Sequence, residues 1–213
     1  MLSSIRNTAN TCFPGKKTSL DFKGSLFPGS SRVKPQYEQP IAIFSGGQPG
    51  IGKTSARTSM TKQFGNPDDF VVVSVDDLRE KHPSYKRLRT VNDRIAYQQV
   101  YDDASIWMRK VIDYAKERGY NVIIIDSTMI QPEVTARTAL GFRERGYITA
   151  AAIVAGHESR SWQQILGRYL GKRLRDEGRY VDKADHGRAY DGVLATAGVI
   201  DEDKVFDHVG VFE

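Results

Sequence analysis

The chain is poor in cysteine. Cys12 is the single one among 213 residues, so an intrachain disulfide and a thiolate metal cluster are both excluded. A reducing cytosol is therefore permitted. No apolar run approaches the ~20 residues that a membrane-spanning helix needs, and no membrane partner is expected. The first 39 residues have no sustained hydrophobic periodicity and lack the apolar core of a Sec signal peptide. They are expected to form a flexible or surface-draped extension, with a non-Sec secretion leader as the alternative. No run of aromatics interleaved with basic residues marks a platform for single-stranded nucleic acid. That argues against a nucleic-acid partner, although the net charge of +5 suits anionic ligands in general.

What the chain does have is a phosphate loop in its proper setting. Residues 47–54 read Gly47-Gln48-Pro49-Gly50-Ile51-Gly52-Lys53-Thr54, followed by Ser55. This is a full Gly-x-x-x-x-Gly-Lys-[Ser/Thr] motif. An apolar run, Ile41 to Phe44, precedes it, and a helix-compatible stretch from Thr54 to Phe64 follows. Glycines let backbone N–H groups turn toward a polyphosphate, and the next helix adds its positive end. Lys53 then reaches the β- and γ-phosphates of ATP or GTP, and the Thr54 hydroxyl holds Mg²⁺. Loop residues 47–55 are thus the expected nucleotide-binding set.

Strands are expected at Ile41–Ser45, Phe70–Ser74, Val122–Asp126 and Ile148–Val154. Helices are expected at Thr54–Phe64, Arg94–Arg118 and Glu133–Arg145, the last two stopped by Gly119 and Gly146. A basic helical stretch covers Trp162 to Gly178, and a small strand, Lys204–Val211, closes one edge. Alternating β and α elements imply an α/β domain over residues 40–213, a mostly parallel sheet with helices on both faces.

Ligands in open α/β sheets bind at the carboxyl ends of the strands. The strand at Phe70–Ser74 delivers Asp76 and Asp77 to such an end. Asp76 is the candidate base that orients and deprotonates an acceptor hydroxyl, and Asp77 is read as a helix N-cap. Arg79 and His82 follow as candidate substrate contacts, with a turn before Pro83 the other role for His82. The next apolar strand ends in Asp126, a Walker B pattern that orders Mg²⁺; Ser127 and Thr128 add hydroxyls at the same rim. Between about 160 and 190 lies an arginine-rich lid region. Arg168, Lys172, Arg175 and Arg179 share one helical face, suited either to a transferring phosphoryl group or to solvent.

Together these motifs resemble the zeta toxin family, kinases of toxin–antitoxin systems that phosphorylate UDP-N-acetylglucosamine. The resemblance rests on the loop at 47–54, on Asp76 to Tyr85 with its His82-Pro83, and on Gly119-Tyr120-Asn121 leading to Asp126-Ser127-Thr128. Arg168-Tyr169, and Arg179 seven residues before His186, complete it. It implies a P-loop kinase fold, with Asp76, Lys53, Arg168 and Arg179 as catalytic residues. It also implies substrate contacts from Arg79, His82, Asp126 and Thr128, Mg²⁺ on Thr54 and Asp126, and an antitoxin partner. Two departures bear on the acceptor. Ser74 stands where the family has an acid, and Asp126-Ser127-Thr128 replaces Glu-Gly-Thr. A dinucleotide such as NAD is the second acceptor class, since zeta-like effector kinases use it. A nucleotide hydrolase or switch acting through a protein partner is the alternative from another class.

Overall fold

In the computed structural model, residues 38–125, 129–173 and 181–213 are described. Most of the N-terminal extension therefore lies outside the described residues. The elements run β1 (Ile41–Gly46), α1 (Lys53–Phe64), β2 (Val71–Ser74), α2 (Val75–Glu80), α3 (Tyr85–Val91), α4 (Asp93–Gln99) and α5 (Tyr101–Arg118). They continue with β3 (Val122–Ile125), α6 (Pro132–Arg143), β4 (Ile148–Val154), α7 (Glu158–Arg173), α8 (Lys183–Asp203) and β5 (His208–Phe212). The strands form one sheet in the order β2-β3-β1-β4-β5, parallel throughout.

The strand sequences explain the parallel, doubly covered sheet. Parallel strands are buried on both faces and read as near-continuous apolar runs. Ala42, Phe44, Val122, Ile124, Ala151 and Ile153 face a core shared with α5, α6 and α8. Ile43, Ile123, Ala150 and Ala152 face the opposite side, against Met60 and Phe64 of α1. The first core is tied by edge-on aromatic contacts: the Phe44 ring meets Phe142 at 6.0 Å and Phe206 at 5.0 Å between centroids. Asp207 fastens the edge strand. Its carboxylate accepts from the N–H and the hydroxyl of Thr149 at 2.8 and 2.9 Å.

Three departures from the sequence expectation bear on the site. The helix expected over Arg94–Arg118 breaks at Val100, whose φ of −100° and ψ of 3° turn α4 into α5. Ser74, not Asp77, holds the N-cap position of α2, and both acids occupy its first turn, where the helix dipole favours negative charge. Finally, α8 has no counterpart in the expectation. Its three glycines (187, 192 and 198) read as breakers. One of them is there for packing: a Cβ on Gly192 would lie 2.5 Å from the Ile130 side chain and 2.7 Å from the Ile130 carbonyl oxygen.

Candidate active site

The chain leaves β1 toward β2 on one side of the sheet and leaves β3 toward β4 on the other. Because β1 and β3 are neighbours, a crevice opens at their carboxyl ends. The glycine loop fills one wall. Gly52, at φ 97°, turns the chain into α1, and the left-handed conformation there suits glycine. Gln48 is buried, and its side chain donates to the Gly156 carbonyl at 2.8 Å, which fixes the loop to the exit of β4. The Lys53 ammonium donates to the carbonyls of Gly47 and Gln48 at 2.6 and 3.2 Å. It thus spans the loop on the side that a phosphate chain would enter.

The loop opens onto a cavity of about 1050 Å³. Residues Pro49 to Thr54 line it, and Asp76 and Arg168 stand on its other walls. The loop lysine, the candidate base and one lid arginine therefore share one space. Gly47, Gln48 and Ser55 lie outside its lining. Asp126, Thr128 and Arg179 lie outside the described residues.

Two residues assigned to substrate from the sequence have other partners. Arg79 is 1% exposed and does not line the cavity. Its Nη1 donates to Asp76 Oδ1 at 2.6 Å, and its guanidinium carbon sits 3.9 Å over the Tyr97 ring and 5.2 Å from the Tyr101 centroid. Arg79 therefore supports the candidate base from behind. Its Nε and Nη2 are buried without an acceptor. His82 is a turn residue. Ser84 N–H donates to its Nδ1 at 3.2 Å, so Nε2 carries the proton and points at Asp103 Oδ2, 3.2 Å away. Its ring stacks on Trp107.

Several groups at the site were not anticipated. Tyr97 and Tyr101 wall the cavity beside Asp76. Burial raises the Tyr97 phenol above its usual 10.0, against the lowering pull of Arg79. Their four-residue spacing was the available signal, hidden because they sit on opposite sides of the Val100 break. From α8, Asp185 and Arg188 pair with each other on the cavity wall. His186 is fully buried, and its Nε2 lies 2.8 Å from Ser161 Oγ. Ser161 Oγ donates to the Glu158 carbonyl at 2.9 Å, so Nε2 is the donor to Ser161. Burial lowers the His186 pKa; Glu158, 3.8 Å from Nδ1, opposes this, and Lys53 adds to the lowering.

The donor set fits a nucleoside triphosphate with Mg²⁺. The Thr54 hydroxyl stands at the exposed start of α1 on the cavity wall. Among the described residues no group of three His, Cys, Asp or Glu could hold a metal ion. Mg²⁺ commonly needs only one or two protein oxygens beside substrate phosphates.

Residues 27–213 match the profile of the Zeta toxin family. The Streptococcus pneumoniae protein "Toxin PezT" is 25% identical over 202 residues, which cover 92% of this chain and 78% of that one. The Enterococcus hirae protein "Toxin zeta" is 28% identical over 156 residues, covering 73% of this chain and 51% of that one, so the chain spans about half of that relative's length. A solved chain from the PezAT chromosomal toxin–antitoxin system of Streptococcus pneumoniae superposes with a TM-score of 0.75 at 24% identity, over 93% of this chain and 78% of that one. The shared architecture, an all-parallel sheet with the glycine loop after β1, is the P-loop kinase fold.

Proposed function

This chain belongs to the zeta toxin family, and from that premise we propose that it is a kinase moving the γ-phosphate of ATP or GTP to a hydroxyl of a small molecule, foremost UDP-N-acetylglucosamine. The observation that carries the reading is that Lys53 and Asp76 face one cavity with Arg168 on its wall. Loop N–H groups and Lys53 bind the donor phosphates. Asp76, held by Arg79, accepts the proton of the acceptor hydroxyl as that oxygen attacks the γ-phosphorus and the bond to the β-phosphate oxygen breaks. Arg168, joined by Arg179, neutralises the charge spread over the phosphoryl oxygens. Thr54, with Asp126 as the second candidate ligand, would hold Mg²⁺, which would supply further charge neutralisation at the donor phosphates. Catalysis is positioning plus electrostatics. The PezAT relative belongs to a toxin–antitoxin system, which supports an antitoxin that covers this cavity as the partner.

The test is mass spectrometry of a metabolite extract incubated with the protein, ATP and Mg²⁺, beside an Asp76→Ala variant. One metabolite should gain one phosphate with the wild type and none with the variant. A gain on NAD moves the acceptor to the dinucleotide class. Release of phosphate to water alone, or full transfer by a folded Asp76→Ala protein, refutes the reading.

A further inference from the structure

Among the described residues three cations line the large cavity: Lys53 at the start of α1, Arg168 on α7 and Arg188 on α8. The proposed transfer employs the first two and leaves Arg188 without a role. Its side chain is 67% exposed and pairs with Asp185, 49% exposed, three positions earlier. An exposed pair on one helix adds little to stability, so bracing the fold does not account for it. The seat of α8 comes from other residues. His186, Val193, Thr196 and Ile200 are buried. Gly192 packs directly on Ile130, and Thr196 donates to the Met129 carbonyl. Asp182, Asp185 and Arg188 recur every three residues and face the cavity. Asp182 is used as the N-cap, accepting from the Ala184 N–H at 2.8 Å.

The register of Arg188 against the glycine loop is also set. His186, two residues before it, donates from Nε2 to Ser161 Oγ at 2.8 Å. The Ser161 carbonyl in turn packs on Gly50, where a built Cβ would lie 2.4 Å from its oxygen. The loop, α7 and α8 thus form one connected frame, and a donor group carried by such a frame needs little reorganisation when charge develops in front of it. We infer that Arg188 is a third guanidinium on the γ-phosphoryl group, turning from Asp185 to the phosphoryl oxygens when the donor nucleotide is bound. The inference rests on the kinase reading and adds a catalytic residue of this chain to it. The group in flight spreads its charge over three equatorial oxygens, more than one guanidinium fork can meet. Asp185 keeps Arg188 beside the cavity before the donor arrives. Its exposed pair is weak enough to yield to phosphate, with which a guanidinium makes strong charge-assisted hydrogen bonds.

The experiment is calorimetric titration of the full chain with two ligands that differ by the γ-phosphate: a non-hydrolysable ATP or GTP analogue, whichever wild type binds more tightly, and the matching diphosphate, each with Mg²⁺. Arg188→Ala should bind the triphosphate analogue at least about tenfold more weakly than wild type, the effect of losing a charge-assisted hydrogen bond. It should bind the diphosphate as wild type does. Arg188→Gln, polar but uncharged, should repeat the selective loss. Lys183→Ala removes an exposed α8 cation outside the cavity wall and should match wild type with both ligands. All four proteins should share one unfolding midpoint, since the Arg188 pair is exposed. In single-turnover transfer both Arg188 variants should be slowed at least about tenfold. Equal affinity of wild type and both variants for the triphosphate analogue, an equal loss with the diphosphate, or an unchanged transfer rate overturns the inference. A loss confined to the triphosphate in a protein that phosphorylates no acceptor overturns the proposed function instead and leaves Arg188 a γ-phosphate ligand. Failure of wild type to bind either triphosphate analogue overturns both.

Discussion

Replacing Arg79 with methionine should separate stability from activity. Arg79 is 1% exposed, yet it donates from Nη1 to Asp76 and buries Nε and Nη2 without acceptors. An unmet buried donor costs about 1–3 kcal/mol, so removing the group relieves the interior. Against that stands the loss of stacking on Tyr97, about 0.5–2 kcal/mol. The ion pair itself adds little to the loss, because the Asp76 side chain is 40% exposed and regains water when its partner goes. Methionine fills much of the same volume with a flexible apolar chain. The opposing terms nearly cancel, as they do when buried ion pairs are exchanged for apolar groups. The expected stability change is within about 2 kcal/mol of zero. Activity should respond quite differently. A charge-assisted hydrogen bond worth about 1.5–3 kcal/mol in orienting the base corresponds to a roughly ten- to 150-fold fall in kcat. Urea unfolding and single-turnover transfer of the γ-phosphate read the two quantities. The reasoning is refuted by destabilisation beyond about 3 kcal/mol, or by unchanged kcat in a folded protein.

Three further outcomes follow from the same geometry. Gly50→Ala should destabilise by about 1–3 kcal/mol and weaken nucleotide binding, since a Cβ there would lie 2.4 Å from the Ser161 carbonyl oxygen at a φ of +83°; a thermal shift of ordinary size on adding an ATP analogue would contradict this. His186 has a lowered pKa, so its contribution to stability is full above the unfolded value of about 6.5 and is lost as pH falls below it; His186→Gln should flatten the urea-midpoint profile below that pH, and a parallel profile refutes the role. At Asp207 burial acts to raise the pKa, but Thr149, Arg143 and His208 outweigh it and the net shift is downward. Its stabilisation is thus present above about pH 4 and lost as pH falls through the folded pKa. Asp207→Asn should lose less stability between pH 7 and pH 3 than wild type, measured by the unfolding midpoint.

The legible part of this protein is the part encoded by neighbours in sequence. The glycine loop is eight consecutive residues, and its strand and helix flank it directly. The four apolar runs became β1 to β4 within one or two residues, because strands of a sheet covered on both faces require such runs. Asp76 could be placed because it follows a strand. The illegible part depends on contacts across the fold. Arg79 was read as a substrate contact because nothing within α2 shows that Tyr97 and Tyr101 will close over it. The three glycines of α8 hid a 21-residue helix. Gly192 has its reason in Ile130, sixty-two positions earlier, and Thr196 donates to the Met129 carbonyl of the same segment.

These long-range contacts also explain how the lid arginine reaches its position. Ser161, Ile165 and Arg168 recur at four and three residues along α7, so they share one helix face. Gly50 packs against the first two: a built Cβ would lie 2.4 Å from the Ser161 carbonyl oxygen and 2.7 Å from Ile165 Cγ1. With that face seated on the loop, Arg168, one turn further on, must point over the cavity. His186 then ties α8 to the same Ser161, which brings Asp185 and Arg188 alongside. A single glycine contact therefore sets both the shape of the donor loop and the reach of the lid. Any change that lifts α7 from the loop should reduce nucleotide affinity and phosphoryl transfer together, whereas loss of the Arg168 side chain alone should reduce transfer and leave the fit of α7 on Gly50 intact.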